Sequence, residues 1–338
     1  MAIPSTTRFL PHILILCTLL HLGSSASRSL NAADQTAGSS DDDTAFQYHN
    51  GALLTGKIAV NLIWYGKFKP SQRAIVSDFV ASLTSPASSS SSKQQQPSVG
   101  SWWKSTEKYY HLIKSTTKHS SSSSLSLSLT TQILDESYSM GKSLSSKQIV
   151  QLASKGAQSN AINVVLTSSD VAVEGFCSSK CGTHGSSFST AATRKISGGE
   201  KKVSKFAYIW VGNSEKQCPG QCAWPFHQPI YGPQSLPLVS PNNDVGMDGI
   251  IINLAGLLAG TATNPFGNGY FQGPKEAPLE AASACTGVYG KGAYPGYAGE
   301  LLLDSTTGAS YNANGVNARK YLLPALFDPA SAACSTLV

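Results

Sequence analysis

Residues 242–265, NNDVGMDGIIINLAGLLAGTATNP, constrain this chain more than any other stretch. From Gly249 to Ala262 the only strongly polar side chain is Asn253. Ile250, Leu254, Leu257 and Leu258 recur at helical spacing, and Ala255, Gly256, Ala259 and Gly260 fill the other faces. A helix that is apolar or small all round has no side to give to water, so it is buried. Its glycines cost helix propensity, up to about 1 kcal/mol each, and in return permit close backbone approach. Asn242, Asn243 and Asp244 are candidate N-caps. Thr263-Asn264-Pro265 is the stop, because proline disfavours helix in the residue before it. The run is short for a bilayer span and reads as a core helix.

The elements before it alternate. Residues 57–65, KIAVNLIWY, read as a strand. A helix follows from Pro70 to about Leu83, with Ala74, Ile75, Phe79 and Val80 on one side. WWKSTEKYYHLI reads as a second helix capped by Ser101. LSLSLTTQILDE is a strand, residues 145–156 a helix, and AINVVLT and FAYIWVG two further apolar strands. Strands alternating with helices predict an α/β (mixed α+β) fold, a central mostly buried sheet with packed helices. Beyond Pro265 the chain is rich in Gly, Pro, Tyr and Asn, which predicts a loop-rich, disulfide-stapled C-terminal part. Serine-rich inserts near 84–99 and 118–124 read as surface loops within a single domain over 51–338.

Residues 1–26 read as a signal peptide: Arg8 in the n-region, an apolar h-region over 9–22, and small residues at 24–26. Residues 27–50, polar with an aspartate run, read as a disordered N-terminal segment or a propeptide. The expected location is secreted: extracellular space, apoplast or cell wall. No second segment long enough for a membrane span stands out.

Cysteine usage fits an oxidising compartment. Once Cys17 leaves with the signal, six remain: Cys177, Cys181, Cys218, Cys222, Cys285 and Cys334. The expected pairs are Cys177–Cys181, Cys218–Cys222 and Cys285–Cys334. The rival is a four-cysteine zinc site built from the two C-x3-C pairs. No cofactor and no metal is expected. Scattered basic residues, with a formal net charge of +6, argue against nucleic-acid binding.

Three places carry candidate chemistry. His184 stands in CSSKCGTHGS between two glycines, either as a site histidine or as an inert loop histidine held by a hydrogen bond. Trp224, Phe226, His227 and Tyr231 lie in a proline-rich segment and are ligand-binding candidates for sugar or peptide, against a cover over the core. Asp248 opens the central helix, where an acid is favourable for the helix alone. That helix lacks the H-E-x-x-H of zinc proteases. No nucleophile elbow, Walker loop or dinucleotide loop is present. Glycosidic carboxylate pairs have only Asp248, Glu280, Glu300 and Asp304 as candidates by count. No confident catalytic residue emerges, and His184, His227 and Asp248 are the weak candidates.

Residues 57–83, 208–226, 246–273 and 284–329 carry stretches such as GMDGIIINLAGLLAGTATNPFGNGYFQG that resemble the plant EXORDIUM family, the phosphate-induced protein 1 group. The likeness covers about residues 50–338. It implies a secreted wall or apoplastic protein linked to brassinosteroid-responsive growth and cell expansion, without a settled activity. The chain is also similar to forms with H-E-L-A-E where it has Gly256-Leu257-Leu258-Ala259-Gly260. That likeness implies a degenerate zincin-like fold without its metal ligands. The expected function is non-catalytic binding of a cell-wall polysaccharide or an extracellular, cell-surface protein. The alternatives are a wall-polymer or peptide hydrolase and a tyrosine-cross-linked structural wall protein.

Overall fold

The β-branched and aromatic run that opens the globular part forms the middle of a five-stranded sheet. The computed structural model describes residues 45–84, 97–116, 125–156, 160–178, 180–188, 205–227 and 236–338. These lie in one compact unit spanning residues 41–338. The signal peptide (1–26), residues 27–44, most of both serine-rich inserts (85–96 and 117–124) and Tyr231 lie outside the described residues.

In chain order the elements are β1 (Gln47–Tyr48), β2 (Gly56–Tyr65), α1 (Pro70–Ser82), α2 (Val99–Lys104), α3 (Glu107–Thr116), β3 (Leu125–Asp135) and β4 (Ser143–Leu144). Then come α4 (Ser146–Ala153), β5 (Ala161–Thr167), β6 (Ala172–Val173), β7 (Gly182–Phe188), β8 (Lys205–Gly212), α5 (Pro219–Cys222), α6 (Val245–Thr263) and β9 (Tyr270–Phe271). The main sheet has the order β3-β2-β5-β8-β7. Its first four strands run parallel, and β7 is antiparallel to β8 at the edge.

Alternation along the strands sorts their side chains onto two covered faces. Val60, Leu62 and Trp64, with Ile162, Val164, Leu166, Ile209 and Val211, pack against α1, α2, α3 and α6. Ile63, Tyr65, Val165 and Trp210 pack against Ile149, Leu152 and Ala153 of α4. Helices on both faces explain why β5 is buried at every position.

The all-round apolar run becomes α6, 19 residues long and mostly buried. Its length and composition would suffice to cross a membrane, but 78% of that window is inside the fold, so it is a core helix. The Asp244 side chain accepts from the backbone N–H of Met247 and caps it.

Three expectations are corrected. The WWKSTEKYYHLI helix is two helices. Ser98 rather than Ser101 is the cap, and the Ser105 and Thr106 hydroxyls bond back to the Trp102 and Trp103 carbonyls, closing α2. Chain order begins before residue 51: β1 pairs with β9, and Phe46 packs 4.5 Å from Phe327. The local cysteine pairs do not form. The bonds are Cys177–Cys218 and Cys181–Cys222, with Cys285–Cys334 as expected. The reason is the β7–β8 register, which sets Gly182 opposite Val211. The segment entering β7 therefore lies beside the one leaving β8, and two rungs tie them together.

After α6 the chain continues in short paired strands, 302–303 with 310–311, 313–314 with 320–321 and 326–328 with 333–335. Tyr321 anchors this part, donating to the Ile75 carbonyl at 3.0 Å.

Candidate functional site

His184 is not a loop residue. It lies in β7, opposite Ile209 of β8. Its strand was illegible because GTHGSSF has no β-branched alternation, and pairing with β8 supplies what propensity does not. His184 Nε2 sits 2.6 Å from Glu280 Oε2, both side chains nearly buried. The other carboxylate oxygen accepts from Asn264 Nδ2 at 2.7 Å, and Asn264 Oδ1 accepts from the Gly269 N–H at 2.7 Å. Asn264, the residue after α6, thus fixes the acid that meets the histidine. Gly260 makes the meeting possible, since a Cβ there would stand 2.5 Å from Glu280 Oε2 and 3.2 Å from His184 Nε2.

This group lines a cleft of about 480 Å³, with Ser186, Leu257, Phe266 and Glu276. His184 Nδ1 is buried and has no hydrogen-bond partner among the described residues. The pair can hold or pass a proton. Among the described residues no group of three or more His, Cys, Asp or Glu is placed to hold a metal ion. The four-cysteine zinc alternative falls as well, because those sulfurs are in disulfides.

His227 lies elsewhere. It is exposed and lines a smaller cleft of about 220 Å³ with Trp224, Pro225, Leu236, Pro237 and Tyr297. Trp224 is held by Tyr289, ring centroids 5.9 Å apart. Tyr297 packs with its ring tilted against Tyr294, centroids 5.0 Å apart, and Tyr294 is half exposed. The aromatic wall of this cleft therefore comes from two segments about seventy residues apart. Phe226 does not belong to it. It is 6% exposed and packs with Ala223, Ile252 and Leu322, as the cover-over-core reading had it.

Asp248 is in neither cleft. Its carboxylate is buried in the first turn of α6, bonded by the Ser240 hydroxyl, the Asn242 N–H at 2.9 Å and Asn242 Nδ2 at 2.7 Å. Burial pushes its pKa up to about 6, although the bonds from Ser240 and Asn242 pull the other way. It fastens the 240–244 loop to the helix. The structure therefore does not bring His184, His227 and Asp248 together. It joins His184 instead to Glu280 and Asn264, which lie 96 and 80 residues along the chain, with no local signal linking them.

The protein-family model described as the phosphate-induced protein 1 conserved region matches residues 46–337. The chain is similar to Protein EXORDIUM-like 1 of Arabidopsis thaliana, 66% identical over 304 residues, 90% of this chain and 94% of that one. It is similar to Protein PHOSPHATE-INDUCED 1 of Nicotiana tabacum, 64% identical over 313 residues, 93% of each. It is 66% identical to Protein EXORDIUM of Arabidopsis thaliana over 294 residues, 86% of this chain and 89% of that one. No solved structure gives a significant match.

Proposed function

Since the chain belongs to the phosphate-induced protein 1, or EXORDIUM, family of plant proteins, we propose that it is a secreted protein of the apoplast and cell wall. In this reading it regulates brassinosteroid-responsive cell expansion by binding a wall polysaccharide or a cell-surface protein, without catalysis. The observation that carries the binding part is the cleft walled by Trp224 and Tyr297, with His227 at its rim. Rigid aromatic faces beside polar tips suit the flat apolar faces and hydroxyl edges of sugar rings. The scatter of His184, His227 and Asp248 over separate places supports a binder over an enzyme built from those three.

The fold part of the reading is a zincin-like ancestry with the metal ligands gone. Its support is the long helix following the last strand of the sheet, with Gly256 and Gly260 facing the 280–282 segment where the motif would place side chains.

The test is retention of the disulfide-intact protein on a panel of insoluble wall polymers, with supernatants read by mass spectrometry. Retention without released fragments is expected. Trp224→Ala and Tyr297→Ala should each weaken it about tenfold, in line with the ~0.5–1.5 kcal/mol of an aromatic contact beyond its area. A hydrolase is the second reading, and the His184–Glu280 contact is what favours it. Fragments that disappear on His184→Ala would replace the binder with that enzyme.

A further inference from the structure

A cleft lined by neither His184 nor His227 lies where the parallel strands of the sheet finish. The sheet order fixes its place. β2, the first strand of the sheet in the chain, has β3 on one side and β5 on the other. The chain leaves β2 towards β3 and then returns to β5, which opens a crevice at the carboxyl ends of β2 and β5. In open α/β sheets such a switch point is where ligands bind.

Each loop at that edge contributes. Lys67, Phe68 and Lys69 follow β2, Ser169 follows β5, and Asn213, Glu215 and Lys216 follow β8. Asn243, Asp244 and Val245, at the start of α6, close the far side. The space is about 810 Å³, within the ~300–1,000 Å³ usual for small-ligand sites. Gly66 brings the first two loops together: its φ is +96°, and a Cβ there would collide with the Ser168 hydroxyl.

We propose that this cleft binds an acidic saccharide, an oligomer of uronate rings, with Lys67, Lys69 and Lys216 meeting its carboxylates. The three lysines are exposed and have no ion pair among the described residues, whereas Lys108, Lys142, Lys155 and Lys320 are all engaged with aspartates. Between them stand the amides of Gln72, Asn213 and Asn243 and the carboxylates of Glu136, Glu215 and Asp244, of which Glu136 is paired with Arg73 and Asp244 accepts from Gln72. The amides both donate to and accept from ring hydroxyls, and the carboxylates accept from them. A uronate oligomer carries one charge per ring, separated by hydroxyls, and so matches cations interspersed with hydroxyl partners.

The same lining disfavours other anions. A phosphate or nucleotide held at the helix start would need its free N–H donors, but the Asp244 side chain already takes the Met247 N–H there. Phe68 is the single aromatic in the lining, and it is buried, so no ring is open for a base or for stacking a neutral sugar. This site is separate from the Trp224–Tyr297 cleft and shares none of its lining residues.

The experiment is titration calorimetry on the mature, disulfide-intact protein. The probes are trigalacturonate, its methyl ester, cellotriose and inorganic phosphate, each at low and moderate salt. Trigalacturonate should bind and weaken as salt rises. Its methyl ester and cellotriose should bind at least tenfold more weakly. The variant carrying Lys67→Ala, Lys69→Ala and Lys216→Ala should lose about tenfold, the scale of three exposed charge pairs, at unchanged melting temperature. Equal binding of the methyl ester, an unaffected triple variant, phosphate competing as well as trigalacturonate, or no binding at all would overturn the proposal. Trp224→Ala should leave trigalacturonate binding intact, so failure here and failure of the wall-polymer reading are read separately.

Discussion

Gly260 has no space for a methyl group, and that lack is specific to the His184–Glu280 contact. The atom in the way is the far end of a flexible glutamate, so an added methyl displaces the carboxylate and leaves the backbone in place. Gly260→Ala is expected to cost about 1–3 kcal/mol, the scale of a buried charge-assisted hydrogen bond losing its partner, despite alanine's better helix propensity. Glu280→Gln should cost a similar amount. The two together should fall well short of additive, because each removes the same contact. Chemical denaturation of the two single variants and the double variant measures this, and full additivity would mean that Gly260 is not what admits Glu280. None of this contact was legible in the chain. Glu280 was one acid among four by count, and Gly260 read as a small residue on a buried helix. The fold alone decides which distant carboxylate faces which histidine.

Elements were legible in proportion to how much of their own signal they carry. β2, β5, β8, α1 and α6 announce themselves by apolar period, and the sheet with helices on both faces follows from them. β7 carries almost no signal of its own and exists because β8 offers it an edge. The disulfides failed for the same reason. Two C-x3-C pairs invite local closure, and the correct pairing needs knowledge of a strand that the sequence does not declare. A sharp check is available. Trypsin cuts after Lys180 and Lys216, so Cys177 and Cys181 separate while Cys218 and Cys222 stay on one peptide. Under non-reducing conditions that peptide should remain joined to both of the others. Its release as a free, internally bridged peptide would restore the local pairing. Each rung closes a loop spanning 41 residues, and in the chain-entropy account one such bond contributes about 4 kcal/mol.

At the scale of the whole molecule, Asp248 should make stability depend on acidity in an unusual direction. Burial holds its carboxyl up at about 6, whereas an unfolded aspartate titrates near ~3.9. Between those values the folded protein binds the proton more tightly than the unfolded chain, so stability falls as pH rises through about 4 to 6. The full effect is roughly 3 kcal/mol. Asp135 works in the opposite sense and lower down. Burial alone would raise it, but hydrogen bonds from Ser139 and Lys155 hold it at about 2, so its contribution is lost only in stronger acid. Melting curves from pH 4 to pH 7 should decline for the native chain and flatten for Asp248→Asn. An identical slope in the variant would assign the effect elsewhere. The two cysteine rungs also bear on how the chain is made. Cys177 and Cys181 leave the ribosome well before Cys218 and Cys222, and for that interval each lies four residues from the other while its native partner is still absent. In an oxidising compartment the easy early bond is therefore the wrong one, and β8 must arrive before the right one can exist. Production of this protein should accordingly depend on a catalyst of disulfide exchange more than its modest cysteine count suggests.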